Sequence, residues 1–369
     1  MLLALAHLQL SQSKTMNYTL PKKTSLLCFC IYLFISSGKS IQSPSICHPN
    51  DQKVLLQIKN HFHNASCFAT WMPDSDCCSW SGIKCDDNDS NPGRVTVFRI
   101  GANAVNCISG QIPPMLGDLP FLRKLTLNFQ DNLTGSIPLR LSKLTRLECL
   151  HLCCNNLTGP IPSFWGPEFE SLHLLGLHLN YFTGTIPSSL SLLPNITSLA
   201  LFSNLLTGSI PESFGSFKTN LSLTLLNNKL SGPIPRSLGQ ANFTIIDLSY
   251  NQFSGDASFL FARDKPLQRI SLRQNKFKFD FTNINLPKGL RSLDIADNEI
   301  YGSFPKRLGL LQPKFNDVSN NNLCGRIPTS RRLIRFDTSD LVRNNECLGD
   351  ILLPPCKMLM CDEKQILEF

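Results

Sequence analysis

The stretch from Leu150 to Pro162, LHLCCNNLTGPIP, carries two patterns that point in different directions. With Cys149 just ahead of it, its first half gathers Cys149, His151, Cys153 and Cys154 within six residues. Such a cluster suggests metal or thiol chemistry. Its second half returns along most of the chain. Gly-x-Ile-Pro stands at Gly110–Pro113, Gly135–Pro138, Gly159–Pro162, Gly184–Pro187, Gly208–Pro211, Gly232–Pro235 and Gly325–Pro328, and as GSFP at Gly302–Pro305. Each copy follows a version of L-x-x-L-x-L-x-x-N-x-L. Units open near Val95, Leu122, Leu147, Leu172, Ile196, Asn220, Phe243, Leu267, Leu290 and Pro313, a spacing of 23–27 residues.

Each unit has a physical reading. The x-Leu-x-Leu-x core has period two and is a short strand with its leucines inward. The Asn that follows (Asn103, Asn155, Asn180, Asn204, Asn228, Asn251, Asn275, Asn298, Asn321) stands where the chain turns back. Its amide both donates and accepts, so it can bond the backbone of its own turn and of the next. Stacked amides satisfy buried groups that would otherwise cost about 1–3 kcal/mol each. Gly and Pro shape the next bend. One unit cannot bury its own leucines, whereas a stack of neighbours can. The expected fold is an α/β repeat solenoid, right-handed, with ten repeats over 95–330, a concave parallel sheet and a cap at each end.

In that frame Leu147, Leu150 and Leu152 face inward, and Cys149, His151 and Cys153 share the concave side. Positions i and i+4 on a strand lie about 13 Å apart, while zinc holds sulfur at about 2.3 Å. These three therefore do not gather around one ion, and no metal or cofactor is expected. A disulfide between the adjacent Cys153 and Cys154 would strain the backbone. The cluster reads as substituted surface positions.

Composition sets the compartment. Fifteen cysteines in 369 residues favour an oxidising environment. Lys22 and Lys23, the apolar run SLLCFCIYLFIS (25–36) and small residues after it make residues 1–40 a signal peptide, with Met16 a candidate start. No later run of about 18 apolar residues exists, so no membrane anchor is expected. Sequons at Asn64, Asn88, Asn132, Asn156, Asn195, Asn220 and Asn242 also suit secretion. Of the net charge of +8, residues 263–343 carry 16 basic against 8 acidic side chains, enough to steer a polyanion. Residues 41–94 form the N-terminal cap, and 331–369 the C-terminal cap and tail. In the first cap, Asp51 is expected to N-cap a helix whose apolar stripe is Val54, Leu55 and Ile58.

Five stretches are idiosyncratic: CHPNDQKVLLQIKNHF (47–62), DCCSWSGIKCDD (76–87), GDASFLF (255–261), SLDIADNEIYGSFP (292–305) and NNLCGRIP (321–328). With the LTGxIP tail they resemble plant-specific leucine-rich repeats and, more narrowly, the plant polygalacturonase-inhibiting proteins, over about 44–357. The resemblance implies a short second sheet after each Asn, a 3-10 or helical convex side, and disulfide-stapled caps. It implies the pairs Cys47–Cys77, Cys78–Cys85 and Cys324–Cys347. Gly349 stands where that family has a cysteine, so Cys356 either pairs with Cys361 or stays a thiol. Pairing of Cys67, Cys107, Cys149, Cys153 and Cys154 does not follow from the sequence.

The resemblance implies a secreted, monomeric, non-enzymatic protein of the plant cell wall that docks on a fungal endopolygalacturonase and limits pectin cleavage. Outward strand positions carry recognition in solenoids. Here they include Thr126, His151, His178, Phe202, Thr224, Leu226, Asp247, Ser249, Tyr250, Ser271, Arg273 and Asp294. Ten strands give a face roughly 45 Å long, room for a partner footprint of about 800 Å². His151 and His178 are expected as exposed interface residues that apoplast acidity near pH 5–7 would charge. Gly176, Ala200 and Phe202 are neutral where the family usually carries charge. Arg269, Arg273, Lys276, Lys288 and Arg291 are the candidates for binding polygalacturonate. No nucleic-acid partner is expected. Alternatives are a secreted recognition module of peptide-binding or co-receptor type, or an ice-binding protein. The mixed positions Phe202, Leu226, Tyr250 and Arg273 argue against the regular polar row that ice binding needs.

Overall fold

The Leu-x-Leu cores assemble into one curved sheet of eleven strands: β1 Ile83–Cys85, β2 Val95–Ile100, β3 Lys124–Leu127, β4 Cys149–His151, β5 Leu174–Gly176, β6 Ser198–Ala200, β7 Leu221–Thr224, β8 Phe243–Asp247, β9 Arg269–Ser271, β10 Ser292–Asp294 and β11 Phe315–Asp317. This computed structural model describes residues 46–87, 91–101, 104–305, 315–326 and 347–349. The expected signal peptide, Asn88, Asn103, Cys356 and Cys361 lie outside the described residues. β1 runs antiparallel to β2. The pairs from β2 to β11 are all parallel. That makes ten consecutive parallel strands, one per repeat.

Register explains the core. Leu125, Leu150, Leu175, Leu199, Leu223, Ile246, Ile270 and Leu293 occupy equivalent positions, each at most 1% exposed. Burying each stabilises by about 1.5–3 kcal/mol. Short second strands follow the turns and pair in separate ribbons, among them Asn155–Pro160 with Tyr181–Thr183 and Lys229–Pro233 with Gln252–Gly255. The convex side carries 3-10 turns such as Leu139–Lys143 and Ser188–Leu192.

The Asn ladder joins these layers. Asn204 Nδ2 donates to the carbonyls of Leu177 and Leu201 at 3.1 and 3.0 Å, and its Oδ1 accepts from Phe182 N at 3.0 Å. One amide thus ties its own turn to the preceding repeat. In the second repeat the rung is Gln130, which the Asn pattern does not predict. Its amide donates to Ala104 and Asn128 and accepts from the backbone of Cys107 and Ile108. The residue before each rung is left-handed: Phe129, Cys154, Leu179, Ser203, Asn227, Tyr250, Gln274, Asp297 and Asn320 have φ between 52° and 60°.

The N-terminal cap corrects one expectation. Helix α1 spans Pro49–His61, and its N-cap is His48, whose side chain accepts from Asn50 N. Asp51 does not cap. It is buried, pairs with Arg94 at 2.8 Å and accepts from Val95 N at 2.8 Å. A proline at the first helical position moves the N-cap three residues upstream, to His48, and freed from capping, the carboxylate anchors the helix to β2. Leu55 and Ile58 are fully buried and Val54 packs beside them. Trp71 stacks on Trp80 at 5.2 Å and meets Phe98 of the first repeat edge-on at 5.8 Å. Disulfides join Cys47 to Cys77, Cys78 to Cys85 and Cys67 to Cys107. The third bridge ties the cap to the first repeat. At the far end Cys324 is disulfide-bonded, and the register sets it opposite Cys347.

Candidate partner-binding face

Two outward rows run across the concave sheet. The first is Thr126, His151, Gly176, Ala200, Thr224, Asp247, Ser271, Asp294 and Asp317, in strand register. The second lies two residues further along each repeat and includes Cys153, His178, Phe202, Leu226, Ser249 and Arg273. Tyr250 belongs to neither. It stands on the left-handed turn beyond its strand, with φ 54°, and is 39% exposed.

The face is less open at its N-terminal half than a row of surface positions would be. Cys149, His151, Cys153 and His178 are all buried, the two histidines at 8% and 7% exposure. This corrects the reading of the histidines as exposed. The His151 ring lies across Gly176 of the next strand, where a Cβ would meet its Cδ2 at 2.6 Å. His178 stacks on half-buried Phe202, ring centroids 4.3 Å apart. The neutral positions at 176 and 202 are thus what house the two imidazoles. Burial, reinforced by Arg99, lowers the pKa of His151. Burial, with His151 adding to it, brings His178 down to about 4. Apoplast acidity therefore does not charge His178, against expectation.

The C-terminal half is charged. Arg273 Nη2 meets Asp297 at 2.8 Å, and its Nη1 meets Asp317 at 2.5 Å and Asp294 at 3.8 Å. Burial drives the Asp294 pKa up to about 7 in spite of Arg273, and Asp317 pushes the same way. Burial likewise raises Asp247, although Ser249 donates to it through Oγ at 2.5 Å. The middle offers apolar and small groups: half-buried Phe202 and Leu226, buried Thr224, and the exposed ring of Tyr250.

The five basic candidates do not share one row. Arg269 opens β9 and is exposed, and Arg291 just precedes β10. Lys276 lies in the second-sheet strand Lys276–Phe277. Lys288 pairs with Asp264 at 2.8 Å. Arg273 is held by three carboxylates. Of the sequons, Asn64, Asn132, Asn195, Asn220 and Asn242 are exposed, whereas Asn156 is half-buried and donates to Asp131 O at 2.6 Å.

The metal-capable residues also differ from the ones the strand spacing set aside. Donor atoms of Cys153, Cys154 and His178 converge within 4.8 Å of one another. Sequence spacing within one strand does not reveal this set, because His178 comes from the next repeat.

Residues 48–86 match the family model described as leucine rich repeat N-terminal domain, and 146–167 and 195–217 match the leucine rich repeat model. The chain is 43% identical to a polygalacturonase inhibitor from Pyrus communis, covering 88% of this chain and 96% of that protein. It is 44% identical to polygalacturonase inhibitor 1 from Arabidopsis thaliana, covering 91% and 99%. Among solved structures, that of a plant ice-binding protein is similar with a TM-score of 0.79 at 38% identity, over 84% of this chain and 98% of that one. Family models, relatives and geometry agree, and the chain belongs to the polygalacturonase inhibitor family of leucine-rich-repeat proteins.

Proposed function

We propose that the protein is a secreted plant cell-wall inhibitor that docks its concave face on a fungal endopolygalacturonase and blocks access to pectin. One observation carries the choice of face. Phe202, Leu226 and Tyr250 place apolar surface in adjacent repeats, bordered by Asp247, Asp294 and Asp297. Aromatic anchors inside a polar rim are the usual anatomy of a binding hot spot. Asp297 on that flank favours a partner with a basic rim, whereas Asp294, with its pKa raised by burial to about 7, is neutral at pH 5. Inhibition is by occlusion, without chemistry of the protein's own. The disulfides Cys47–Cys77, Cys67–Cys107 and Cys78–Cys85, and seven sequons beyond the expected signal peptide, suit the extracellular setting.

A polygalacturonate contact rests on Arg269, Lys276 and Arg291, since Arg273 and Lys288 are engaged by acids. Such binding weakens steeply with salt, because exposed charges are screened within about 10 Å at 0.1 M. The likeness to an ice-binding protein reflects a shared scaffold in this reading. The second row here mixes Cys153, His178, Phe202, Leu226 and Arg273, unlike a flat row of short polar groups.

The test is release of reducing sugars by several fungal polygalacturonases at pH 5, with and without the purified protein. Slowing of at least one enzyme at micromolar protein supports the reading. If none slows, the secreted recognition module of peptide or co-receptor type takes its place.

A further inference from the structure

We propose that Cys153, Cys154 and His178 form a zinc site on the concave face, clamping the third repeat to the fourth. Their donor atoms already lie within 4.8 Å of one another. A tetrahedral zinc, with bonds of about 2.3 Å to sulfur and about 2.0–2.1 Å to nitrogen, holds its donors roughly 3.4–3.8 Å apart. Closing the set takes shifts of about 1 Å, within reach of side-chain rotation.

The backbone explains why these three meet. Cys153 and His178 are neighbours in the second row, because the register of β4 on β5 continues into the turn. Cys154 follows Cys153, and in a continuing strand its side chain would point to the opposite face. Its φ of 59° turns the chain left-handed at that residue. The two side chains come together there, and the Cys154 thiol hydrogen-bonds Cys153.

His178 supplies the independent sign of a ligand. The residue is 7% exposed, and its Nδ1 has no hydrogen-bond partner. Buried polar atoms are nearly always satisfied, and a metal ion satisfies an imidazole nitrogen as well as a proton donor does. Phe202 stacks on the ring at an interplanar angle of 17° and fixes its plane.

Charge selects the ion. Two thiolates and a neutral imidazole around Zn²⁺ sum to zero, which suits a half-buried pocket against Phe202. A monovalent ion on the same donors would leave a net negative charge beside Asp131, whose field already acts on Cys154. Binding releases the two thiol protons to solvent. Cys154 is only half-buried, which lets water serve as the fourth ligand.

The test uses the full secreted protein with its disulfides intact, stripped with EDTA and titrated with Co²⁺ as the spectroscopic probe. One equivalent is expected to bind, with sulfur-to-cobalt charge transfer and tetrahedral visible bands that one equivalent of Zn²⁺ bleaches. Cys154→Ser is expected to halve the charge-transfer intensity and weaken affinity at least tenfold. His178→Gln is expected to weaken it at least tenfold and spare the charge transfer. Cys149→Ser, about 13 Å along the strand from Cys153, is expected to change neither. Circular dichroism checks each fold; should His178→Gln fail to fold, Cys154→Ser at its half-exposed position still decides. Absence of stoichiometric binding at micromolar metal overturns the proposal. So does binding whose affinity and charge-transfer intensity are unchanged in Cys154→Ser, or a Cys153–Cys154 disulfide found by mass spectrometry in the purified protein.

Discussion

The imidazole of His151 occupies the space that a side chain at position 176 would fill: a Cβ on Gly176 falls 2.6 Å from His151 Cδ2. Gly176→Ala is therefore expected to destabilise the protein, by roughly 1–3 kcal/mol if the buried ring cannot tilt. The pairing is specific, so His151→Ala in the Gly176→Ala background is expected to cost less than in wild type. A double-mutant cycle on denaturant midpoints reads the coupling. Strict additivity would mean that the ring and the missing Cβ do not compete.

Asp294 sets a pH dependence whose sign follows from its environment. Its folded pKa of about 7 is raised by burial, offset by Arg273 and raised again by Asp317 and Asp247. An unfolded aspartate titrates near 3.9. The folded state thus binds a proton that the unfolded state has lost between these values. The stabilisation is fully present below about pH 4 and is lost as pH rises through about 7. Asp294→Asn imitates the protonated form. It is expected to raise Tm relative to wild type at pH 8 and to give little or no gain at pH 4. An equal effect at both would show that Asp294 is ionised throughout.

The ladder makes a prediction about identity rather than polarity. Asn204→Ala removes a donor from three carbonyls and the acceptor of the Phe182 N–H, and is expected to cost about 1–3 kcal/mol. Gln130→Ala is expected to cost a similar amount, since that side chain also makes four bonds to backbone. Urea unfolding measures both. If Gln130→Ala is silent while Asn204→Ala is not, Gln130 is not a rung.

The solenoid is legible because period-two leucines, the Asn and the Gly-x-Ile-Pro tail report the same local physics in repeat after repeat. Gln130 escapes that pattern because a longer amide performs the role of Asn. Asp51 is misread because an acid near a helix start is a capping signal locally, while its partner Arg94 is 43 residues away. The Cys67–Cys107 bridge escapes for the same reason: its geometry exists only once the cap packs on the first repeat. The candidate face is legible as a set of positions and not as an environment. A one-residue view of His178 contains neither Phe202 above it nor the two thiols beside it, and Arg273 shows its three carboxylates only after β9, β10 and β11 align.

Tyr250 separates binding from folding. Its ring is exposed, while its backbone sits at φ 54°, a region that disfavours bulky residues and admits Asn. Asn occupies the equivalent turn at Asn227 and Asn320, with φ 55° and 53°. Tyr250→Asn therefore relaxes the backbone and deletes the aromatic surface, losing one hydrogen bond to Arg273. Tm is expected to stay level or rise. If Tyr250 anchors a polygalacturonase, inhibition is expected to weaken roughly thirtyfold or more, the loss of about 2 kcal/mol that marks a hot spot. Phe202→Ala is expected to weaken inhibition as well, but at some cost in Tm because it uncovers the His178 ring. Unchanged inhibition in Tyr250→Asn, measured by reducing-sugar release at pH 5, would move the anchor away from the turn row and onto the strand rows between Phe202 and Asp294.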